Sequence, residues 1–277
     1  MYTHKQLQQI ANELRVDIIK AISRAKSGHP GGSLSAIDIL VYLFFNEIKR
    51  TKENALDPDR HRFVLSKGHG VPALYAVLAK IGLITYEELM NLRVLGSRTQ
   101  GHPSYSDLPY VEASTGSLGQ GLSVAVGMAL AAKIDKKSYR VYCMTGDGET
   151  QEGQIWEAIL SAPKFNLDNL CVILDYNKSQ IDGYTKDVMD LEPLKEKLKA
   201  FKWNVLEIDG HNFEEMENAF NIARETKGKP TYIIAHTIKG KGVSFMEDNI
   251  EWHGKAPNEK ETELALQELE KLLLSNG

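Results

Sequence analysis

Four short apolar runs, each followed by a glycine-rich or polar turn, constrain the fold of this chain more than any other feature. The runs are FVLS (63–66), VYCMT (141–145), CVILD (171–175) and YIIAHT (232–237), and helical patterns lie between them. Apolar strands that alternate with helices are typical of a parallel sheet covered on both faces. We therefore predict an α/β fold, with an open, mostly parallel sheet and helices on both faces.

The rest of the chain continues this pattern without an internal repeat or a linker. Apolar residues at helical spacing predict a helix at 3–26, another at 153–162 and an amphipathic helix at 261–274. A length of 277 residues suits one large domain. We expect a single domain over residues 1–277.

Composition excludes several function classes. The chain is 42% hydrophobic and 25% charged, and its net charge of −4 gives no reason to expect a nucleic-acid partner. Its N-terminus is charged throughout, and no window approaches eighteen apolar residues, so we expect neither a signal peptide nor a membrane partner. Cys143 and Cys171 lie in apolar runs, which indicates buried thiols and a cytoplasmic location.

The turns after the apolar runs point to a binding site. They read SKGHG, GDGE, YNKSQ and KGKG in chain order. Ligands of open α/β sheets bind beyond the carboxyl ends of the strands. We therefore expect these four turns to form the walls of one site.

The turn GDGE combines a phosphate-binding pattern with acidic side chains. Gly146 and Gly148 allow close backbone approach to a phosphate, whereas Asp147 would repel it. A divalent cation between the carboxylate and the phosphates removes this conflict, and Mg²⁺ favours such oxygen ligands. Asn177, thirty residues further on, and the carbonyl of Ser179 are the expected partner ligands. Ca²⁺ or Mn²⁺ could take the place of Mg²⁺.

Taken together, these motifs resemble the N-terminal part of transketolases, which are thiamine diphosphate enzymes. GDG followed by Asn is the general thiamine diphosphate pattern. The segments that resemble transketolases, in order, are SGHPGGSLSAIDIL (27–40), LSKGHGVPALYAVL (65–78), QGHP (100–103), STGSLGQGLSVAVGMA (114–129), GDGETQEGQIWEA (146–158) and HTIKGKGVSFMED (236–248). The resemblance covers nearly the whole chain.

The resemblance implies a role for each matching residue. Four histidines are expected near the diphosphate and the sugar: His29, His69, His102 and His253. The residues expected to contact the cofactor are His69, Gly116, Leu118, Gly146, Asp147, Gly148, Glu152, Asn177 and His253, with Gly148 as a backbone donor to the diphosphate. The expected metal ligands are Asp147, Asn177 and Ser179. Glu152 and Glu157 match carboxylates at a subunit interface.

The resemblance also implies a function that this chain cannot perform alone. Transketolases move a two-carbon ketol unit from a ketose phosphate to an aldose phosphate, in the pentose phosphate pathway or on less common sugars. This chain resembles the diphosphate-binding half only. We therefore expect a partner subunit that carries the pyrimidine-binding and C-terminal domains, in a heterotetramer with two copies of each chain.

Some alternatives stay open at this point. A nucleotide-binding dehydrogenase would need GxGxxG after a strand, whereas GSLGQG (116–121) follows no apolar run. A deoxyxylulose-phosphate synthase-like or dehydrogenase E1-like subunit, or a non-catalytic relative, would share many motifs. Lys239 and Lys241 fit either a solvated loop or a contact on the phosphate side, and Glu149 has no assigned role.

Overall fold

The centre of the fold is a parallel sheet, as the sequence predicts. The computed structural model describes residues 1–275. Its main strands are β1 (Arg62–Leu65), β2 (Val141–Gly146), β3 (Leu170–Tyr176), β6 (Asn204–Asp209) and β7 (Thr231–His236). They form a five-stranded sheet in the order β1-β2-β3-β7-β6, with every pair parallel. Between β3 and β6 lies a small antiparallel hairpin of β4 (Ser179–Gln180) and β5 (Gly183–Tyr184).

Helices connect the strands. They are α1 (His4–Ala25), α2 (Pro30–Tyr42), α3 (Val71–Lys80), α4 (Tyr86–Met90), α5 (Gln120–Ile134), α6 (Gly153–Lys164), α7 (Thr185–Val188), α8 (Leu194–Ala200), α9 (Phe213–Glu225) and α10 (Glu259–Ser275). Local sequence explains where several of them begin. Thr3 and Thr85 each form a capping box with the residue three positions later, which satisfies free N–H groups of the first turn. No helix within residues 1–275 is long and apolar enough to cross a membrane.

The sheet separates two apolar cores, because successive side chains of a strand point to opposite faces. Tyr142 and Met144 of β2 pack with α1, α2, α3 and α9. Val141 and Cys143 pack on the other face with α5, α6 and α8. Both faces are therefore covered by helices, and the predicted α/β class is confirmed. Cys171 faces the first core, so the two buried thiols lie on opposite sides of the sheet.

The register of the strands brings the predicted site loops level with one another. Gly146 at the end of β2 pairs with Asp175 of β3, and Asp175 pairs with Ala235 of β7. The loops that leave these strands therefore begin at the same edge of the sheet. The segments GDGE, YNKSQ and TIKGKG meet there, as expected from the rule for open parallel sheets.

Helix α6 offers a direct test of which face is packed. Ile159 is fully buried in the second core, whereas its neighbour Leu160 is 64% exposed. We expect Ile159→Ala to lower the free energy of unfolding by about 2–5 kcal/mol, because it removes buried methyl groups and leaves a cavity. Leu160→Ala, the matched control, should change it by no more than about 0.5 kcal/mol. Urea unfolding of the isolated chain measures both, and equal losses would contradict this packing.

Candidate functional site

A cleft of about 350 Å³ opens at the carboxyl edge of the sheet. Its walls contain the predicted histidines, cofactor contacts and metal ligands: His29, His69, His102, Gly116, Leu118, Gly146, Asp147, Gly148, Glu152, Asn177, Ser179 and His253. Glu157 lies apart from them, exposed on α6. A neighbouring cleft of about 680 Å³ shares Asn177 but none of the histidines expected at the site. The smaller cleft is therefore the candidate site.

Asp147 is the most unusual group in the cleft. Its side chain is only 2% exposed, and its Oδ2 has no hydrogen-bond partner among residues 1–275. Burial and the nearby charge of Asp175 raise the pKa of Asp147 to about 7. A buried carboxylate oxygen without a partner is costly unless a ligand satisfies it. This atom therefore fits a cation bound in the cleft.

Gly148 directly follows Asp147 and contacts its carboxylate. Its backbone N–H donates to Oδ1 of Asp147 at 2.8 Å, so the structure uses this donor to hold the carboxylate. The bond points one carboxylate oxygen of Asp147 toward the loop backbone. The other oxygen has no hydrogen-bond partner among the described residues. The closeness of Gln180 explains the glycine, since a Cβ at position 148 would stand 2.8 Å from the Gln180 Cβ.

Asn177 and Ser179 follow β3 and are both buried. The backbone N–H of Ser179 donates to Asn177 Oδ1 at 3.2 Å, and Asn177 Nδ2 donates to the Ser35 hydroxyl at 3.3 Å. Within the described part of the chain, no group of three or more His, Cys, Asp or Glu side chains could hold a metal. One carboxylate with amide and carbonyl oxygens matches Mg²⁺, which is usually completed by phosphate and water oxygens.

The four predicted histidines form one cluster. His29 lies at its centre, with ring centroids 5.3 Å from His69, 5.8 Å from His253 and 6.3 Å from His102. Burial lowers the pKa of His29 to about 4 and that of His253 to about 3, and neighbouring cations act in the same direction. Burial also lowers the pKa of His69 and His102. All four rings are therefore neutral at pH 7, with one donor and one acceptor nitrogen each.

Lys239 is a site residue whose environment the sequence left open. It is 1% exposed, and its ammonium donates to Nδ1 of His253 at 2.9 Å. The solvated-loop interpretation is therefore wrong for Lys239. Burial lowers the pKa of this lysine to about 8. Because an ammonium can only donate, the proton of neutral His253 must be on Nε2.

A buried network holds the loop that carries Lys239. Arg15 of α1 donates to the carbonyl of Lys241 at 3.2 Å and to the carboxylate of Asp38 at 2.5 Å. His211 contacts the same carboxylate through Nδ1 and accepts the N–H of Ile238 through Nε2. His211 therefore fixes the start of this loop.

Lys67 and Asp175 form a buried ion pair beneath the cleft that sequence reasoning missed. Lys67 also donates to the carbonyl of Gly32 at 3.0 Å. Burial alone would raise the pKa of Asp175, but Lys67 and hydrogen bonds from Ser35 and Thr237 outweigh it and lower that pKa. The available signal was Asp175 itself, because a charge in an apolar strand requires a partner.

Glu149, which had no assigned role, joins three loops. Its buried carboxylate accepts from the Ser66 hydroxyl, from the Gly119 N–H at 2.8 Å and from the Gly146 N–H at 3.1 Å. These donors come from the segments after β1, before α5 and at the end of β2. Glu149 therefore fixes the cleft walls, and its carboxylate oxygens are occupied by protein donors.

The loop before α5 depends on glycine. Gly116 has a φ of +144°, and a Cβ there would lie 3.0 Å from Cδ2 of His102. The loop thus combines a backbone conformation that disfavours side chains with close approach to a site histidine. No strand within the described residues precedes this loop directly, unlike in a dinucleotide-binding turn.

Comparison with known proteins agrees with the site. Residues 6–270 match the family model "Transketolase, thiamine diphosphate binding domain". The chain is 45% identical to the 6-deoxy-6-sulfo-D-fructose transketolase subunit SqwG of Clostridium sp. (strain MSTE9), over 96% of both chains. It is 42% identical to an apulose-4-phosphate transketolase subunit of Phocaeicola vulgatus, over 95% of this chain and 93% of that protein.

Solved structures give the same picture. A transketolase from Campylobacter jejuni has a TM-score of 0.89 and 36% identity to this chain. The match covers 98% of this chain but only 43% of that transketolase. The chain therefore spans less than half of the longer protein, and nearly all of it shares the fold of the matched part.

The raised pKa of Asp147 predicts a stability that depends on pH. An unfolded aspartate titrates near 3.9, so the folded chain retains a proton on Asp147 up to about pH 7. The stability from this group is present below pH ~4 and is lost as the pH rises to about 7. In chelator, Asp147→Asn should therefore stabilise the isolated chain by about 1–3 kcal/mol at pH 8 and have little effect at pH 4.

Denaturant unfolding at both pH values measures this difference. Glu157→Gln on the exposed face of α6 is the control and should show no such pH-dependent gain. A destabilised Asp147→Asn chain at pH 8 would contradict the assignment of an unsatisfied buried charge.

Proposed function

Because this chain belongs to the transketolase family, we propose that it is the cofactor-binding subunit of a two-subunit transketolase. As a member of that family it is a transferase of ketol units. The observation that carries the two-subunit proposal is the match, over nearly their full length, to relatives that are themselves named as subunits. The cleft supports the proposal, since the chemistry-bearing residues of the family pattern converge there.

Thiamine diphosphate would be held in this cleft. When bound, it supplies an electron sink that allows a carbon–carbon bond beside a carbonyl to be broken and remade. Gly116, Leu118 and Gly146 offer a wall without bulky polar groups. His69, His253 and Lys239, which line the same cleft, offer nitrogen donors to the diphosphate.

Magnesium is the proposed cation of the site, with Ca²⁺ or Mn²⁺ as substitutes. The proposed ligands are Oδ2 of Asp147, Oδ1 of Asn177 and the carbonyl of Ser179. The buried, unpartnered oxygen of Asp147 supports this ligand set. Two of the three ligands are neutral, so the negative charge that balances the cation would come from Asp147 and from the diphosphate. The cation would also remove the repulsion between Asp147 and the diphosphate.

The histidines would bind and orient the sugar and exchange protons with its hydroxyl groups. Their low pKa values keep them neutral, so a ring with both nitrogens free can accept a hydrogen bond from one hydroxyl and donate one to another. His253 would present Nε2–H, because Lys239 occupies its other nitrogen. His29 has a buried Nδ1 with no partner among the described residues, which leaves an acceptor or donor for a ligand.

The partner subunit would complete the cofactor site. Glu152 and Glu157 are exposed near the start of α6, and Leu160 on the same helix is exposed as well. The interface that the transketolase pattern implies for Glu152 and Glu157 would also cover Leu160 on the same helix. We propose that this face meets another subunit in a heterotetramer with two copies of each chain.

The proposed substrates are sugar phosphates. Split relatives differ in substrate, since one is named for a sulfo-sugar and the other for the phosphate of apulose. The pentose phosphate pathway or a pathway for a less common sugar would both suit ketol transfer by this site. A cytoplasmic location is proposed because Cys143 and Cys171 are free thiols, as in reducing compartments.

Dependence on a partner can be tested directly. The purified chain should show no ketol transfer, because it lacks the half of the cofactor site that the partner would supply. Addition of the partner subunit should restore transfer, measured with several ketose phosphate donors and an aldose phosphate acceptor. Full activity of the chain alone would contradict the two-subunit proposal.

The cation ligands can be tested in the reconstituted enzyme. Asp147→Ala and Asn177→Ala should each weaken Mg²⁺-dependent binding of thiamine diphosphate by at least about tenfold, since each removes an oxygen ligand. Isothermal titration with and without Mg²⁺ measures this effect. Asp135→Ala, at an exposed position after α5, is the control. Unchanged cofactor affinity of both site variants would exclude this ligand set.

A further inference from the structure

We propose that Ser35 is a positioning residue that turns the amide oxygen of Asn177 toward the cation. The inference rests on the proposed function, because it assumes the cation site described above. Ser35 belongs to α2 and is completely buried. It lies 142 positions before Asn177 in the sequence, and only the tertiary structure brings the two side chains together.

The hydroxyl of Ser35 has one proton to donate, and the side chains of Asp175 and Asn177 both lie within hydrogen-bond distance of it. It donates to Oδ2 of Asp175 at 2.6 Å, while Nδ2 of Asn177 stands 3.3 Å from the same hydroxyl oxygen. The carbonyl of Gly32 is a second possible acceptor, at 3.3 Å. A carboxylate at the shorter distance is the stronger acceptor, so the proton of Ser35 goes to Asp175.

Asp175 is held in place as an acceptor. The ammonium of Lys67 donates to the same Oδ2, and the hydroxyl of Thr237 donates to Oδ1. All of these donors converge on one buried carboxylate. Both bonds can run only toward Asp175. An ammonium cannot accept a hydrogen bond, and the Thr237 hydroxyl faces a carboxylate oxygen, which has no proton to donate.

The direction of these bonds decides which end of the Asn177 amide faces Ser35. Because the Ser35 proton is committed to Asp175, its oxygen can only accept from Asn177. The NH₂ group must therefore point to Ser35, and the carbonyl oxygen must point away from it. The N–H of Ser179 favours the same orientation, since it donates to Oδ1 at 3.2 Å. A flipped amide would place its donors against the Ser179 N–H and its oxygen against the lone pairs of Ser35.

A cation needs this orientation, because an amide binds metal through oxygen and repels it through NH₂. Outer residues that orient metal ligands typically contribute 10–100-fold to metal affinity. Since Ser179 supports the same orientation, Ser35 is expected to contribute at the lower end of that range. Removal of the Ser35 hydroxyl should therefore weaken cation binding while all three proposed ligands remain.

The test uses Mn²⁺ as the probe on the full chain assembled with its partner, in saturating thiamine diphosphate. Electron paramagnetic resonance of free Mn²⁺ gives the dissociation constant without any assay of turnover. Ser35→Ala should raise that constant about tenfold, and Ser35→Thr, which retains a hydroxyl, should restore it toward the original value. Ser35→Cys is a second test variant, because a thiol retains the shape but is a poor donor and acceptor.

Ser33→Ala is the matched control. Ser33 is equally buried in α2, but its hydroxyl donates to the His29 carbonyl and does not contact Asn177. Thermal unfolding confirms that each variant is folded. The inference is overturned if Ser35→Ala and Ser35→Cys bind Mn²⁺ as tightly as the original chain while Asn177→Ala binds it more weakly. If neither Asn177→Ala nor Asp147→Ala changes Mn²⁺ binding, the proposed cation site itself fails.

Discussion

The buried ion pair between Lys67 and Asp175 is the interaction on which the carboxyl edge of the sheet depends. Lys67 comes from the loop after β1 and Asp175 from the end of β3, and neither side chain is more than about 2% exposed. Ser35 of α2 and Thr237 after β7 donate to the same carboxylate. Taking two charges out of water is favourable only when the geometry is good and the remaining polar atoms are satisfied. Four separate segments meet that condition together, so the pair fixes their relative positions.

The carboxylates of Asp175 and Glu149 have donors on both oxygens, whereas two buried polar atoms in the cleft have no partner among the described residues. Glu149 uses its carboxylate to join three loops, and Asp38 holds Arg15 and His211 behind the Lys239 loop. In contrast, Oδ2 of Asp147 and Nδ1 of His29 lack partners within residues 1–275. Unsatisfied buried polar atoms destabilise a fold, and they are found where a ligand will bind. In this cleft, the two unpartnered atoms therefore mark places where a ligand could be bound.

Much of this architecture follows from local sequence patterns. Apolar runs such as CVILD predict buried strands, and the polar turns after them predict the edge where a ligand would bind. Asp147 and Asn177 were found because they follow adjacent strands directly, and the histidines were found from motifs beside glycine. Lys67, Lys239 and Glu149 were not assigned, because their partners lie on other segments. The bond from Ser66 to Glu149, for example, spans 83 positions.

By itself, then, the sequence determined the α/β class, the family and the set of residues at the carboxyl edge, because these depend on short-range periodicity and on motifs of a few residues. The tertiary structure decided the state of those residues. It showed which lysine is buried against His253, which oxygen of Asp147 stays free and which end of the Asn177 amide faces Ser35. Protonation and hydrogen-bond direction depend on burial and on contacts between distant segments, so only the folded chain fixes them.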